Sequence, residues 1–139
     1  MHSNRLDEIT DKIAGAINKA NLKAVTVAEF TEPRDKQSDL GAFFADQLSA
    51  GLIQRQCSVV DRQHVAKILA EHKVTMSGLV DPETAKKLGQ FAGVDAIVIG
   101  TITPLGTTIR LTVEVISTES ARFLAAASRD LPKTAWIRQ

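Results

Sequence analysis

The chain has 139 residues, of which 44% are hydrophobic and 24% charged, with a formal net charge of +1. A single domain over residues 1–139 is expected, and a chain of this length buries roughly two-thirds of its unfolded surface. Near-neutral charge and 4% aromatic content argue against a nucleic-acid surface, which needs a basic field and exposed rings, and the single cysteine, Cys57, excludes a disulfide framework.

Asn4 to Ala20 has the spacing of an amphipathic helix, with Leu6, Ile9, Ile13, Ala16, Ile17 and Ala20 on one face. Asp7 and Glu8 favour its positive end. The same acids, with Asp11, interrupt any apolar leader, so the chain shows no signal peptide. Membrane anchoring is expected only through an N-terminal segment removed from this chain, because no apolar run reaches the ~20 residues of a spanning helix.

Lys23 to Phe30 reads as a first strand centred on Ala24 to Ala28, and Thr31 to Gln37 as a charged loop at its C-terminal end, where open α/β sheets place ligands. Ser38 caps a second helix running to Arg55, with Leu40, Phe43, Phe44, Leu48, Leu52 and Ile53 as its apolar stripe. Cys57 to Val60 is a short second strand. Cys57 reads as a small core residue, since no basic neighbour that would activate a thiol stands out.

Asp61 is expected to cap a third helix, Arg62 to His72, with Val65, Ile68 and Leu69 inward. A loop with Met76, Leu79 and Val80 follows. Asp81-Pro82-Glu83 opens a fourth helix, and Gly93 closes it. Three strands then form a meander. The first is the apolar run from Ala96 to Gly100, ended at Pro104-Leu105-Gly106. The second alternates Ile109, Leu111, Val113 and Val115 with Thr108, Arg110, Thr112 and Glu114. The third runs from Phe123 to Ser128. Lys133 to Gln139 is a tail.

The order α-β-α-β-α-α-β-β-β predicts a mixed α/β (α+β) fold with a five-stranded sheet in the spatial order 2-1-3-4-5. Its C-terminal meander is antiparallel, and helices pack on the faces.

Motifs that carry chemistry are scarce. Gly89 to Gly93 lacks phosphate-loop spacing, and His64 and His72 stand too far apart on one helix to share a metal. Glu71-His72 has no second histidine to complete a zinc motif. The sequence predicts no catalytic residue, no cofactor and no metal ligand. The residues singled out for contact are Arg34, Arg62, Met76, Leu79 and Val80. A ligand or nucleotide site on the loops after the first two strands is the alternative, and an RNA-binding domain of similar topology ranks below it on charge.

Three stretches resemble one family: Val25-Thr26-Val27-Ala28-Glu29-Phe30 with Ser38-Asp39-Leu40-Gly41, then Asp61-Arg62 with Ile68-Leu69-Ala70-Glu71, and Asp81-Pro82 with Ala85, Leu88 and Gly89 leading into Gly93 to Thr103. They are similar to the FlgO-type domain of bacterial flagellar outer-membrane proteins, and more distantly to the CsgG curli secretion core and the TolB N-terminal domain. The resemblance implies a non-enzymatic cell-envelope module, periplasmic or on the periplasmic side of the outer membrane. It would act by self-association or protein docking, without nucleic acid. CsgG-like proteins build pores from membrane hairpins; no connection here is long enough to hold them.

Overall fold

The computed structural model of the protein describes residues 5–73 and 82–133, apart from the side chain of Asp35. In chain order these form α1 (Arg5–Lys19), β1 (Val25–Val27), a 3-10 turn (Pro33–Asp35), α2 (Asp39–Gln54), β2 (Val59–Val60), α3 (Arg62–Glu71), α4 (Pro82–Ala92), β3 (Ala96–Leu105), β4 (Thr108–Ser117) and β5 (Phe123–Pro132). The five strands make one sheet in the order β2-β1-β3-β4-β5. β1 runs parallel to both β2 and β3, and β3, β4 and β5 are antiparallel. The expected fold class and strand order are thus what the molecule adopts.

Each face of the sheet is dressed differently because alternate residues point to opposite sides. On one face, α1 lies over β4 and β5 while α2 lies over β1, β2 and β3. Between them sit Val25, Val27, Val98, Leu111, Val113 and Val115, with Phe30 and Phe44 from the loops and helices above. On the other face, α3 and α4 enclose Ile97 in a smaller core of Val65, Leu69, Ala85, Leu88 and Val94. Fully burying an aliphatic side chain contributes about 1.5–3 kcal/mol, so the larger layer dominates stability. The Phe30 ring lies against Gly100, where an added Cβ would stand 2.6 Å from the ring carbons. A glycine in mid-strand is therefore required by close approach.

Helix ends explain several boundary shifts. At the end of α2, Gln56 adopts φ 70°, Gln56 N donates to Ile53 O and Cys57 N donates to Leu52 O. This is a Schellman closure, which satisfies the last carbonyls of a helix. Cys57 is spent on that closure, so β2 is only Val59–Val60 and not the expected Cys57 to Val60. α1 ends the same way, through Asn21 at φ 54° with Leu22 N donating to Ile17 O. Gly93, at φ 69°, follows α4 as expected.

Other expectations are corrected. Phe43 and Ile53 do not face the core; they are 40% and 56% exposed on the outer side of α2. Apolar residues surround this helix, so one stripe cannot take them all. Ile68 is half-buried rather than inward like Val65 and Leu69. Ser38 caps α2 as expected, its hydroxyl accepting from Gly41 N at 3.1 Å. Asp61 makes no side-chain cap bond; only its carbonyl accepts, from Val65 N. Pro104 does not end β3. Gly100 O and Ile102 N both bond to Thr31, so the even positions of β3 face the β1 side. Pro104 points its missing N–H past the end of that pairing, where no ladder bond is lost. β5 runs on past the expected Ser128 to Pro132, pairing with β4 as far as Thr108, and Arg129 and Asp130 both find ion-pair partners.

Candidate functional site

The loop after β1 is a closed clip. Thr31 bridges to Thr101, and Glu32 and Lys36 exchange both backbone bonds across the 3-10 turn. Arg34 sits exposed at its tip with φ 66° and ψ 30°. That left-handed backbone costs a non-glycine residue about 1–2 kcal/mol.

Arg62, at the start of α3, turns back to α2. Its Nη1 lies 2.8 Å from Asp46 Oδ1, and only 17% of its side chain is exposed. It ties the two helices together, and no contact joins it to Arg34. Met76, Leu79 and Val80 lie outside the described residues.

The remaining reactive types are accounted for locally. Cys57 is buried, and burial pushes its thiol up despite the opposing pull of Arg55. Arg55 is thus the basic neighbour that sequence reasoning passed over. It serves α1, through Asp11 at 2.6 Å and Asp7 at 3.9 Å. The His72 ring stacks on Phe91 with centroids 3.9 Å apart, joining α3 to α4. Among the described residues, no group of three or more His, Cys, Asp or Glu is placed to hold a metal ion. Nor is any helix there long and apolar enough to cross a membrane. An open depression of about 320 Å³ lies between α4 and the β4–β5 turn, lined by Lys86, Gln90, Asp95 and Glu119. Asp95 is already engaged there, accepting from the backbone N–H of Lys23 and Ala24. This depression is at the opposite end of the parallel strands from the loops after β1 and β2.

What sequence reasoning did not single out is the far half of the sheet. α3 and α4 lie over the β1 and β3 side of their face, with Gly89 of α4 also close to Thr118 just past β4. Beyond them, no described residue covers the outward rows Thr103, Arg110 and Asp130 and Thr101, Thr112 and Ser128; in the next row Ile99 packs on the smaller core while Glu114 and Ala126 reach water. Arg110 grips Asp130 with two bonds, at 2.8 and 3.2 Å, and Thr112 meets Ser128 at 3.2 Å. That guanidinium holds the Asp130 carboxyl below its ordinary range, and the carboxylate raises Arg110 in turn.

β5 is the last strand, with nothing paired to its outer side among the described residues. At its start, a register shift between Val115 and Ile116 marks a bulge, and Phe123 and Leu124 stand 61% and 44% exposed. Bulges, charges and prolines are the usual guards of such an edge. Here they sit at its ends, leaving Ala125 to Ser128 flat and small. The signal was available: strand order 2-1-3-4-5 makes the fifth strand an edge, and its alanine run lacks the gatekeepers that edges carry.

The family model described as "Curli production assembly/transport component CsgG" matches residues 11–127. No curated protein sequence matches the chain. Among solved structures, the LpoB C-terminal domain from Salmonella enterica is similar, with a TM-score of 0.75 at 11% identity, over 91% of this chain and 95% of that one. The LpoB C-terminal domain from Escherichia coli is similar at a TM-score of 0.72 and 8% identity, over 92% and 98%. Lipoprotein GNA1162 from Neisseria meningitidis is similar at 0.63 and 19%, over 79% and 80%. At these identities the likeness is one of fold.

Proposed function

The chain belongs to the CsgG family, and from that premise we propose that it is a non-catalytic assembly or stabilisation module of the bacterial cell envelope. It works by contact with protein, its own copies included. The observation that carries this reading is the unfinished half of the sheet: one wet face, one open edge and large apolar residues beside it. The family is described by assembly and transport, and one similar fold, GNA1162, is a lipoprotein. Both support a place in the periplasm or on the periplasmic side of the outer membrane. The finer assignment, to flagellar outer-membrane proteins of the FlgO type, rests on the motif residues from Val25 to Thr103.

The competing reading, a ligand site on the loops after β1 and β2, draws little support from the geometry. Arg62 is engaged by Asp46, and Arg34 stands on a separate clip. A thermal-shift panel of nucleotides and metabolites tests the choice. The proposal expects no saturable shift. A saturable rise in Tm of several degrees, lost in Arg34→Ala or Arg62→Ala, would overturn it.

A further inference from the structure

The backbone of β5 shows which of its groups are open to a partner. Lys133 N donates to Thr107 O at 2.9 Å, so Thr107 and Lys133 form a hydrogen-bonded pair. Ile109–Leu131, Leu111–Arg129 and Val113–Ala127 continue that series. Antiparallel ladders alternate such pairs with pairs whose backbone groups point away. The N–H and C=O of Ala126, Ser128 and Asp130 therefore point to the open side. Pro132, next in the series, has no N–H and ends it. Ser128 O accepts a bond from Arg129 Nη1 at 2.7 Å, while Glu8 of α1 holds Arg129 Nε at 2.9 Å. The guanidinium thus arrives from the helix face, and the carbonyl keeps a second lone pair for a ladder bond.

We propose that β5 pairs antiparallel with β5 of a second copy, about a two-fold axis at Ser128, joining two sheets into one. This deepens the reading that the chain works by protein contact and rests on it. The choice of occupant comes from the strand itself. With the axis at Ser128, Leu131 lies opposite Ala125 of the second copy, Asp130 opposite Ala126 and Arg129 opposite Ala127. From Ala125 to Leu131 each large or charged residue meets a small one, and beyond that span Leu124 comes alongside Pro132 of the second copy.

Neighbouring registers lose this match. Moving the axis one residue toward the C-terminus sets Arg129 against Arg129, a like-charge pair that destabilises a sheet. Moving it one residue toward the N-terminus sets Asp130 against Leu124 and draws the bulge into the ladder sooner.

Light scattering on the full chain over rising concentration tests the pairing, together with single cysteines under mild oxidation. The chain is expected to show a monomer–dimer equilibrium. Ser128→Lys, which faces itself across the axis, should weaken it roughly tenfold or more with no loss of cooperative melting. Ser128→Pro removes only an outward N–H and should act likewise. Ser128→Cys should form a disulfide dimer readily, because residues paired this way have Cα atoms about 5.5 Å apart. Ala126→Cys, facing Asp130, should not; the native Cys57 is buried and does not compete. A dimer that persists unchanged in Ser128→Lys and Ser128→Pro would overturn the pairing and leave the protein-contact reading intact. So would a strictly monomeric chain whose Ser128→Cys variant oxidises no faster than Ala126→Cys, with docking to other proteins then the surviving form of that reading.

Discussion

The two ends of the sheet are built to different standards. Around β1 and the start of β3, helices cover both faces, and hydrophobic residues occupy consecutive positions from Ala96 to Val98. Through most of β4 and β5, the described helices cover one face, and buried Leu111, Val113 and Val115 alternate with Thr112 and Glu114, which keep contact with water. A strand buried on both sides has no surface left to offer a partner. The other end keeps its ladder, a wet face and an edge that no described residue pairs, and such an edge can add a strand from another protein.

Substitutions in the two regions should differ in scale. Phe44→Ala, in the covered layer, should cost about 3–5 kcal/mol in urea unfolding, the usual toll of emptying an aromatic site. Thr112→Ala, on the water-facing side of β4, should stay within about 0.5 kcal/mol. Gly100→Ala should cost about 1–3 kcal/mol by forcing the Phe30 ring aside, and little cost there would deny the close packing described. Ser38→Ala should cost about 1 kcal/mol through the lost cap on α2.

The smallest effect belongs to the bare face and shows in pH. Folding lowers the pKa of Asp130, so its contribution is present above the unfolded value of about 3.9 and is lost as pH falls through the lower folded value. Asp130→Asn should lower Tm slightly near neutrality and match the unsubstituted chain in acid, flattening that limb of the Tm profile.

Sequence periodicity carried most of the fold, because period-two and helical patterns report directly which face is buried. The β4 alternation from Thr108 to Val115 gave its two faces correctly, and the connection lengths gave the strand order. Helix ends were harder to read. Asn21, Gln56 and Lys73 all take left-handed backbone at positions where glycine is the familiar sign, and only Gly93 carried it. Phe43 and Ile53 were assigned inward because a helix apolar on all sides does not declare its outer face.

The candidate surface was less legible, for two physical reasons. Charged residues in loops attract notice, yet Arg62 finds its partner sixteen positions away in Asp46, a pairing only the fold creates. An edge strand is defined by the neighbour it lacks, so its signal lay in the expected strand order and in the missing gatekeepers, not in any residue that draws notice. Ala125 to Ser128 looked like an ordinary strand until register showed which way its N–H groups point.

Residue-resolved amide exchange in β5, compared between dilute and concentrated protein, tests the central claim most directly. The N–H groups of Ala125, Ala127 and Arg129 should be slow at both concentrations, whereas those of Ala126, Ser128 and Asp130 should exchange fast when dilute and slow on concentration. Equal protection of both sets when dilute, or an alternating pattern indifferent to concentration, would contradict the account.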